Sequence, residues 1–288
     1  MTGQFVESLY LGQAFQGFHY DEVLYQAETP YQSIAVYQAP FLGRVLVLDG
    51  IIQTTEADEF IYHEMLVHVP LFAVAAPRRV MIVGGGDGGS LREVLKHPIE
   101  RVDLVEIDSQ VIECARAHLP TLNDSGRCFD DARVNLVIED AFKYLKEHRG
   151  EYDVIIVDST DPIGMAEALY SDEFYRLCRD SLSPQGALSV QDGVVFFQPD
   201  EAARTVASMR KLGLFAGCYI AAVPTYYGGN MTFGIGGRQA AVLAPIPSRL
   251  RQRFQALRGA TRHYSPDIHA ASFVLPRWIT ELVEGSRQ

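Results

Sequence analysis

The chain has 288 residues, 48% of them hydrophobic, enough to build one large domain and a smaller one. Its formal net charge of −11 disfavours nucleic acid and anionic membrane surfaces as partners. No uninterrupted apolar run is long enough for a transmembrane helix, and the opening MTGQFVESLYLGQ lacks a basic region followed by an apolar stretch, so neither a membrane span nor a secretory signal is expected. Cys114, Cys128, Cys178 and Cys218 are scattered without a CxxC pair, which fits reduced thiols in a cytoplasmic protein.

In chain order, the first elements read as β-structure. The stretch from Phe18 to Thr55 alternates apolar and polar residues and is broken at ETP, APFLG and LDG. One small antiparallel sheet is expected over roughly residues 5–55. ADEFIYHEMLVHVPLFAVA then reads as a helix ending before Pro77. From Arg79 the pattern changes: RRVMIVGGG, RVDLVEID, RVNLVIED, EYDVIIVDS and GALSVQDG are strands, each followed by a helical stretch. Such alternation implies a mostly parallel α/β sheet covered on both faces. FAGCYIAAVPTYYGGNMTFGIGG adds a late hairpin, and the tail from Pro247 to Gly285 is mixed and mostly helical. Residues 1–70 are assigned to an N-terminal β-domain and 71–288 to the α/β domain.

VMIVGGGDGG places Gly84, Gly86 and Gly89 in G-x-G-x-x-G spacing between a strand and a helix, the context of a nucleotide site. Glu106 closes the next strand, where a carboxylate can accept bonds from ribose hydroxyls. Asp87 stands inside the loop, where it repels a phosphate and attracts a cation. That favours a sulfonium nucleoside with an amino tail over a dinucleotide. Asp140 ends a third strand, either as an ordinary helix cap or as an acceptor for an adenine amino group. Asp158 ends the strand in VIIVDSTDPIG, with Asp161 close behind. Taken singly, both suit turn and cap chemistry. Together Asp87, Glu106, Asp140, Asp158 and Asp161 crowd the carboxyl ends of the strands, where ligands of such sheets sit. Their repulsion calls for bound cations. The acids lie on different loops without metal spacing, and His63 and His68 are five apart rather than in an HExxH pattern, so an amine is preferred to a metal. Phe196 and Phe197 are read as core rather than as an aromatic cage.

GGGDGG (84–89), VEID (105–108), VDSTDPIG (157–164), VLDGIIQTTEADEFIYHEM (47–65) and PTYYGG (224–229), in this order, resemble the spermidine synthases of the polyamine aminopropyltransferase family, bacterial type. The resemblance runs from about residue 5 to the C-terminus. It implies a small N-terminal β-domain followed by a Rossmann-like domain of the methyltransferase type. It implies transfer of an aminopropyl group from decarboxylated S-adenosylmethionine, a co-substrate, to putrescine, giving spermidine and methylthioadenosine, without metal or resident cofactor, in a cytoplasmic homodimer or homotetramer. By the same resemblance Gln32, Gln53, Glu106 and Asp140 contact the nucleoside, beside Gly84 and Gly86. Asp87 holds the donor's ammonium and Asp158 accepts the proton. Asp161, Tyr62, His63, Gln191 and Tyr226 line the polyamine site. Ala141 stands where the family has glycine and Met165 where it has proline, which bears on donor affinity. Three rivals stay open: a putrescine N-methyltransferase, disfavoured by Asp87; an NAD-dependent dehydrogenase, disfavoured by the same acid and by the lack of a His–Asp pair; and a polyamine sensor, disfavoured by the retained Asp158. Acceptors such as cadaverine differ by one methylene, worth about 1–3 kcal/mol in a pocket.

Overall fold

The computed structural model describes residues 2–161, 164–244, 246–247 and 249–285. Strands β1 (Gly3–Leu9) and β2 (Ala14–Tyr20) pair as an antiparallel hairpin. Strands β3 (Glu22–Glu28), β4 (Ser33–Ala39), β5 (Gly43–Leu48) and β6 (Ile51–Thr55) form a separate antiparallel meander in that order. The single sheet expected over 5–55 is therefore two. Only Asp21 separates β2 from β3, and one residue cannot reverse a chain, since the tightest common hairpins need two. The strand direction carries on and the chain changes sheets.

Helix α1 (Glu59–Ala73) follows, then strand β7 (Arg79–Gly84), α2 (Gly89–Leu95), β8 (Arg101–Glu106), α3 (Ser109–His118), β9 (Val134–Ile138), α4 (Ala141–Glu147) and β10 (Tyr152–Asp158). Next come α5 (Asp172–Ser181), β11 (Leu182–Val194), α6 (Pro199–Lys211), β12 (Phe215–Ala222), β13 (Asn230–Gly237) and the short helices α7 (Leu250–Phe254), α8 (Pro266–Ser272) and α9 (Arg277–Gly285). Seven strands make one sheet in the order β12-β13-β11-β10-β7-β8-β9, antiparallel only where β13 meets its two neighbours. Strands buried on both faces need continuous apolar runs. Met81–Val83 and Val154–Val157 supply them and are almost fully buried. One core cluster joins α1 and α2 to the sheet; a second joins α4, α5, α6 and α9 to its other face.

The meander sits on α3, where Ile34, Val36, Leu46 and Leu48 meet Val111, Ala115 and Leu119. Its other face packs on the hairpin through Phe18, Tyr37, Val45 and Ile52. Helix α1, which runs across the boundary expected at residue 70, packs against α2 and the large sheet. It is buried along most of its length. The C-terminal segment covers it: the Glu64 carboxylate accepts the backbone N–H groups of Arg262, His263 and Tyr264 at 2.6–2.8 Å.

Strand order sets the position of the site. The chain steps outward from β7 to β8 and β9, then returns to the opposite side of β7 with β10. At this reversal the following loops diverge and leave a crevice at the carboxyl ends of the strands.

Candidate active site

A cavity of about 550 Å³ opens above that reversal, between the large sheet and the N-terminal strands. Every residue expected at the site lines it except Met165, which lies outside the described side chains. Gly84 is the register partner of Asp158, so loop and acid face each other across adjacent strands. Gly84 has φ +75°, and a Cβ there would lie 2.3 Å from the Asp158 carbonyl oxygen. A Cβ at Gly89 would lie 2.3 Å from the His63 ring. Gly84 demands glycine for closeness of approach as well as for backbone shape, Gly89 for closeness alone.

The acids differ in their surroundings. Asp158 Oδ1 accepts from the Tyr62 hydroxyl at 2.8 Å, and its buried Oδ2 has no hydrogen-bond partner among the described residues. Burial first, then the neighbouring Asp87, push this carboxyl above its ordinary value, although His63 opposes them. Asp161 is also pushed up by burial; Gln198 and Gln191 donate to it at 2.9 and 3.4 Å. Asp87 goes the other way. Burial pushes it up, but His63 at 3.5 Å and the Gly89 N–H at 2.8 Å outweigh that and hold it low. His63 is buried, which favours the neutral ring, yet Asp87 and Glu59 together raise its affinity for a proton well above that of an ordinary imidazole. Glu106 is raised to about 7 by burial, while one oxygen accepts the Asp108 N–H at 3.0 Å.

The residues expected on the nucleoside side, and those expected on the acceptor side, are arranged around this core. Asp140 caps α4 by accepting the Phe142 N–H at 2.8 Å while lining the cavity, so the cap and the wall are one residue. Gln32 donates to Asp108 at 3.1 Å, and Gln53 to the Ile51 carbonyl at 3.2 Å. Gln191 is tied up more fully. Its amide donates to the Tyr170 hydroxyl at 2.6 Å and the Ser159 carbonyl at 3.0 Å, and its oxygen accepts the Gly193 N–H at 2.9 Å. It frames the wall. Tyr226 lies edge-on to Tyr62 and donates to the Gln53 carbonyl at 2.7 Å.

Phe196 is 67% exposed, contrary to its reading as core, because it falls in the turn after β11 rather than on a strand. Phe197 is partly buried and stacks on Tyr10 at 4.4 Å. Sequence reasoning passed over Glu7, Tyr10 and Gln198, all of which line the cavity. Glu7 is 2% exposed and held by Gln16 at 2.7 Å. An acid sharing a strand face with Phe5 and Leu9 was the available signal.

Among the described residues, His63, Asp87 and Asp158 have ligand atoms within 4.8 Å of one another. His63 Nδ1 is committed to Glu59 at 2.7 Å, and Nε2 faces Asp87 at 3.5 Å. The same arrangement suits bound ammonium and sulfonium groups, which need carboxylates with lone pairs to spare and an aromatic wall.

Residues 59–244 match the spermine/spermidine synthase domain, and residues 12–56 the spermidine synthase tetramerisation domain. The chain is similar to polyamine aminopropyltransferase 1 of Pseudomonas aeruginosa, 48% identical over 280 residues and 96% of each chain. It is likewise similar to the polyamine aminopropyltransferase of Pseudomonas syringae, at 46% identity and the same coverage. Its structure superposes on a spermidine synthase crystallised with the transition-state analogue AdoDATO, at 33% identity and a TM-score of 0.89 over 98% of this chain and 94% of the other. Spermidine synthase from Thermotoga maritima gives a TM-score of 0.88 at 32% identity, with the same coverage.

Proposed function

The chain belongs to the spermine/spermidine synthase family of aminopropyltransferases, and we propose that it moves the aminopropyl group of decarboxylated S-adenosylmethionine to putrescine, giving spermidine and 5′-methylthioadenosine. The observation that carries the substrate reading is the pair of acids across Gly84: Asp87, facing His63 at 3.5 Å, and Asp158, with a buried oxygen that has no partner among the described residues.

The roles follow from chemistry. An alkyl ammonium has a pKa of about 10.4 and cannot attack until it loses a proton. Asp158 binds one ammonium of putrescine and accepts that proton. Its raised affinity for protons and the desolvation of the amine narrow the gap between the two groups. The freed nitrogen attacks the carbon of the aminopropyl chain bonded to sulfur. The carbon–sulfur bond breaks toward sulfur and the sulfonium leaves as a neutral thioether, so no general acid is called for. Asp87 holds the ammonium of the aminopropyl tail, and Asp161 with Tyr62 and Tyr226 lines the acceptor channel. Glu106 takes the ribose hydroxyls, and Asp140 the adenine amino group through the lone pairs left by its cap. Holding two cations in line for attack supplies much of the acceleration. The donor is a co-substrate, and the reading includes neither metal nor resident cofactor.

No helix among the described residues is long and apolar enough to cross a membrane, and all four cysteines are free and buried, which supports a cytoplasmic setting. The match of residues 12–56 to a tetramerisation domain supports a homo-oligomer, dimer or tetramer.

The test is a product assay by mass spectrometry with decarboxylated or ordinary S-adenosylmethionine against putrescine, cadaverine or spermidine. Spermidine and methylthioadenosine from the decarboxylated donor and putrescine are the expected products. A methylated diamine from the ordinary donor, or tight polyamine binding without turnover, would overturn the reading.

A further inference from the structure

Behind the cavity wall, two side chains that do not line the cavity control a residue that does. Glu59 lies one helical turn before His63, and its Oε2 is 2.7 Å from His63 Nδ1. Arg92, from α2, donates to both oxygens of Glu59, at 3.0 Å through Nη1 and 2.9 Å through Nη2. Nη1 also donates to the carbonyls of Thr121 and Leu122 at 2.9 and 3.0 Å, and Nε to Glu93 at 2.8 Å. The guanidinium is thereby fixed from four sides, and its planar fork fixes the carboxylate in turn.

We propose that Glu59 and Arg92 are positioning residues for aminopropyl transfer: they lock the ring of His63 with Nδ1 facing Glu59 and Nε2 facing Asp87, and so set the orientation of the acid that receives the donor. This rests on the functional reading above. The groups facing His63 are Glu59 and Tyr62 on its own helix, Asp87 on the glycine loop and Asp158 at the end of β10, with Arg92 one layer behind. Gly89 closes the remaining side, since any Cβ there would enter the ring. With Glu59 gone, the ring keeps Asp87 as its nearest anionic partner but is free to turn away from it.

The test uses Glu59→Gln, Arg92→Met, Arg92→Lys, His63→Ala and the double variant Glu59→Gln/His63→Ala. Glu59→Gln keeps the size of the side chain, and a backbone amide spectrum checks its fold. It is expected to lower kcat/KM for the donor on the order of ten- to a hundredfold, the scale of a small misplacement at a reacting centre. The alkaline limb of its pH profile should move to lower pH, because His63 loses one of two anionic neighbours and gives up its proton sooner. Arg92→Met should follow it, and Arg92→Lys should recover part of the loss. On the His63→Ala background, Glu59→Gln should add no further loss, the signature of action through the histidine. In the ligand-free protein, the ring nitrogen resonances of His63 should shift in Glu59→Gln. An additive loss on the His63→Ala background, or a Glu59→Gln variant with unchanged kcat/KM and unchanged His63 resonances, would overturn the proposal. A wild-type protein that transfers no aminopropyl group would overturn the functional reading instead, and the ligand-free spectrum would then decide the Glu59–His63 coupling alone.

Discussion

Two buried clusters of charge lie on either side of Arg92, and they are built on opposite plans. Around Glu93 every charge has its match. The carboxylate accepts from Arg92 Nε at 2.8 Å and Lys96 Nζ at 2.6 Å, and faces His68 Nε2 at 3.0 Å. Those partners overcome the burial penalty and hold Glu93 far below the ordinary carboxylate range. His97, 2.8 Å from His68, is kept neutral by burial and by that neighbour. Around Asp158 the account does not close: one oxygen accepts from Tyr62, the other has no hydrogen bond among the described residues, and burial lifts the group's affinity for protons against the pull of His63. A matched cluster holds the fold together. An unmatched one at the end of a core strand costs stability and is kept for a ligand.

The difference can be broken at either end. The largest effect is expected for Asp158→Asn, which removes the proposed proton acceptor. Its kcat should fall about a thousandfold, within the span attributed to general bases, while the thermal midpoint holds or rises because an uncompensated buried carboxylate is gone. Steady-state kinetics beside thermal unfolding checks both, and a variant that turns over normally defeats the assignment. On the matched side the sign reverses. Glu93→Gln leaves Lys96 without its anion and Arg92 with Glu59 alone, and should lower unfolding free energy by about 3–5 kcal/mol in denaturant titration. A loss under 1 kcal/mol would mean the matched cluster is not what holds this face.

The smallest effect sharpens the comparison through pH. Glu106 binds its proton up to about 7 in the folded chain and up to the model-compound value of 4.5 when unfolded. In that window the native state holds more protons than the unfolded one, so stability falls as pH rises from 4.5 towards 7. Unfolding of the ligand-free protein should show this decline, on the order of 3 kcal/mol across the whole window, and Glu106→Gln should flatten it. A decline of equal size in the variant assigns it to other groups.

Much of the rim was legible because its logic is local. A parallel strand is a short apolar run, and the residue that ends it must stand at the carboxyl edge, so Asp87, Glu106, Asp140 and Asp158 could be placed without knowing the strand order. What could not be read depends on contacts between distant segments. Gln191 looks available until Tyr170 and Ser159 take its donors. Tyr226 is held by the carbonyl of Gln53, 173 positions away. Glu59 was visible as an acid four residues before a histidine on a helix, a spacing that puts both on one face, but its meaning waits on Arg92 from the next helix. The split between hairpin and meander turned on the one-residue link at Asp21, which alternation alone does not register.

The clasp of Glu64 on the backbone of residues 262–264 bears on the order in which the molecule is made. Glu64 follows Tyr62 and His63 on the same helix, and its three donors lie 198, 199 and 200 positions later in the chain. Closing so long a loop is an entropic expense that local helix formation does not carry. On the ribosome, the carboxylate beside these cavity-lining side chains stays without its partners until residues 262–264 have emerged. This face of the helix is thus covered late, when the segment carrying residues 262–264 closes over it.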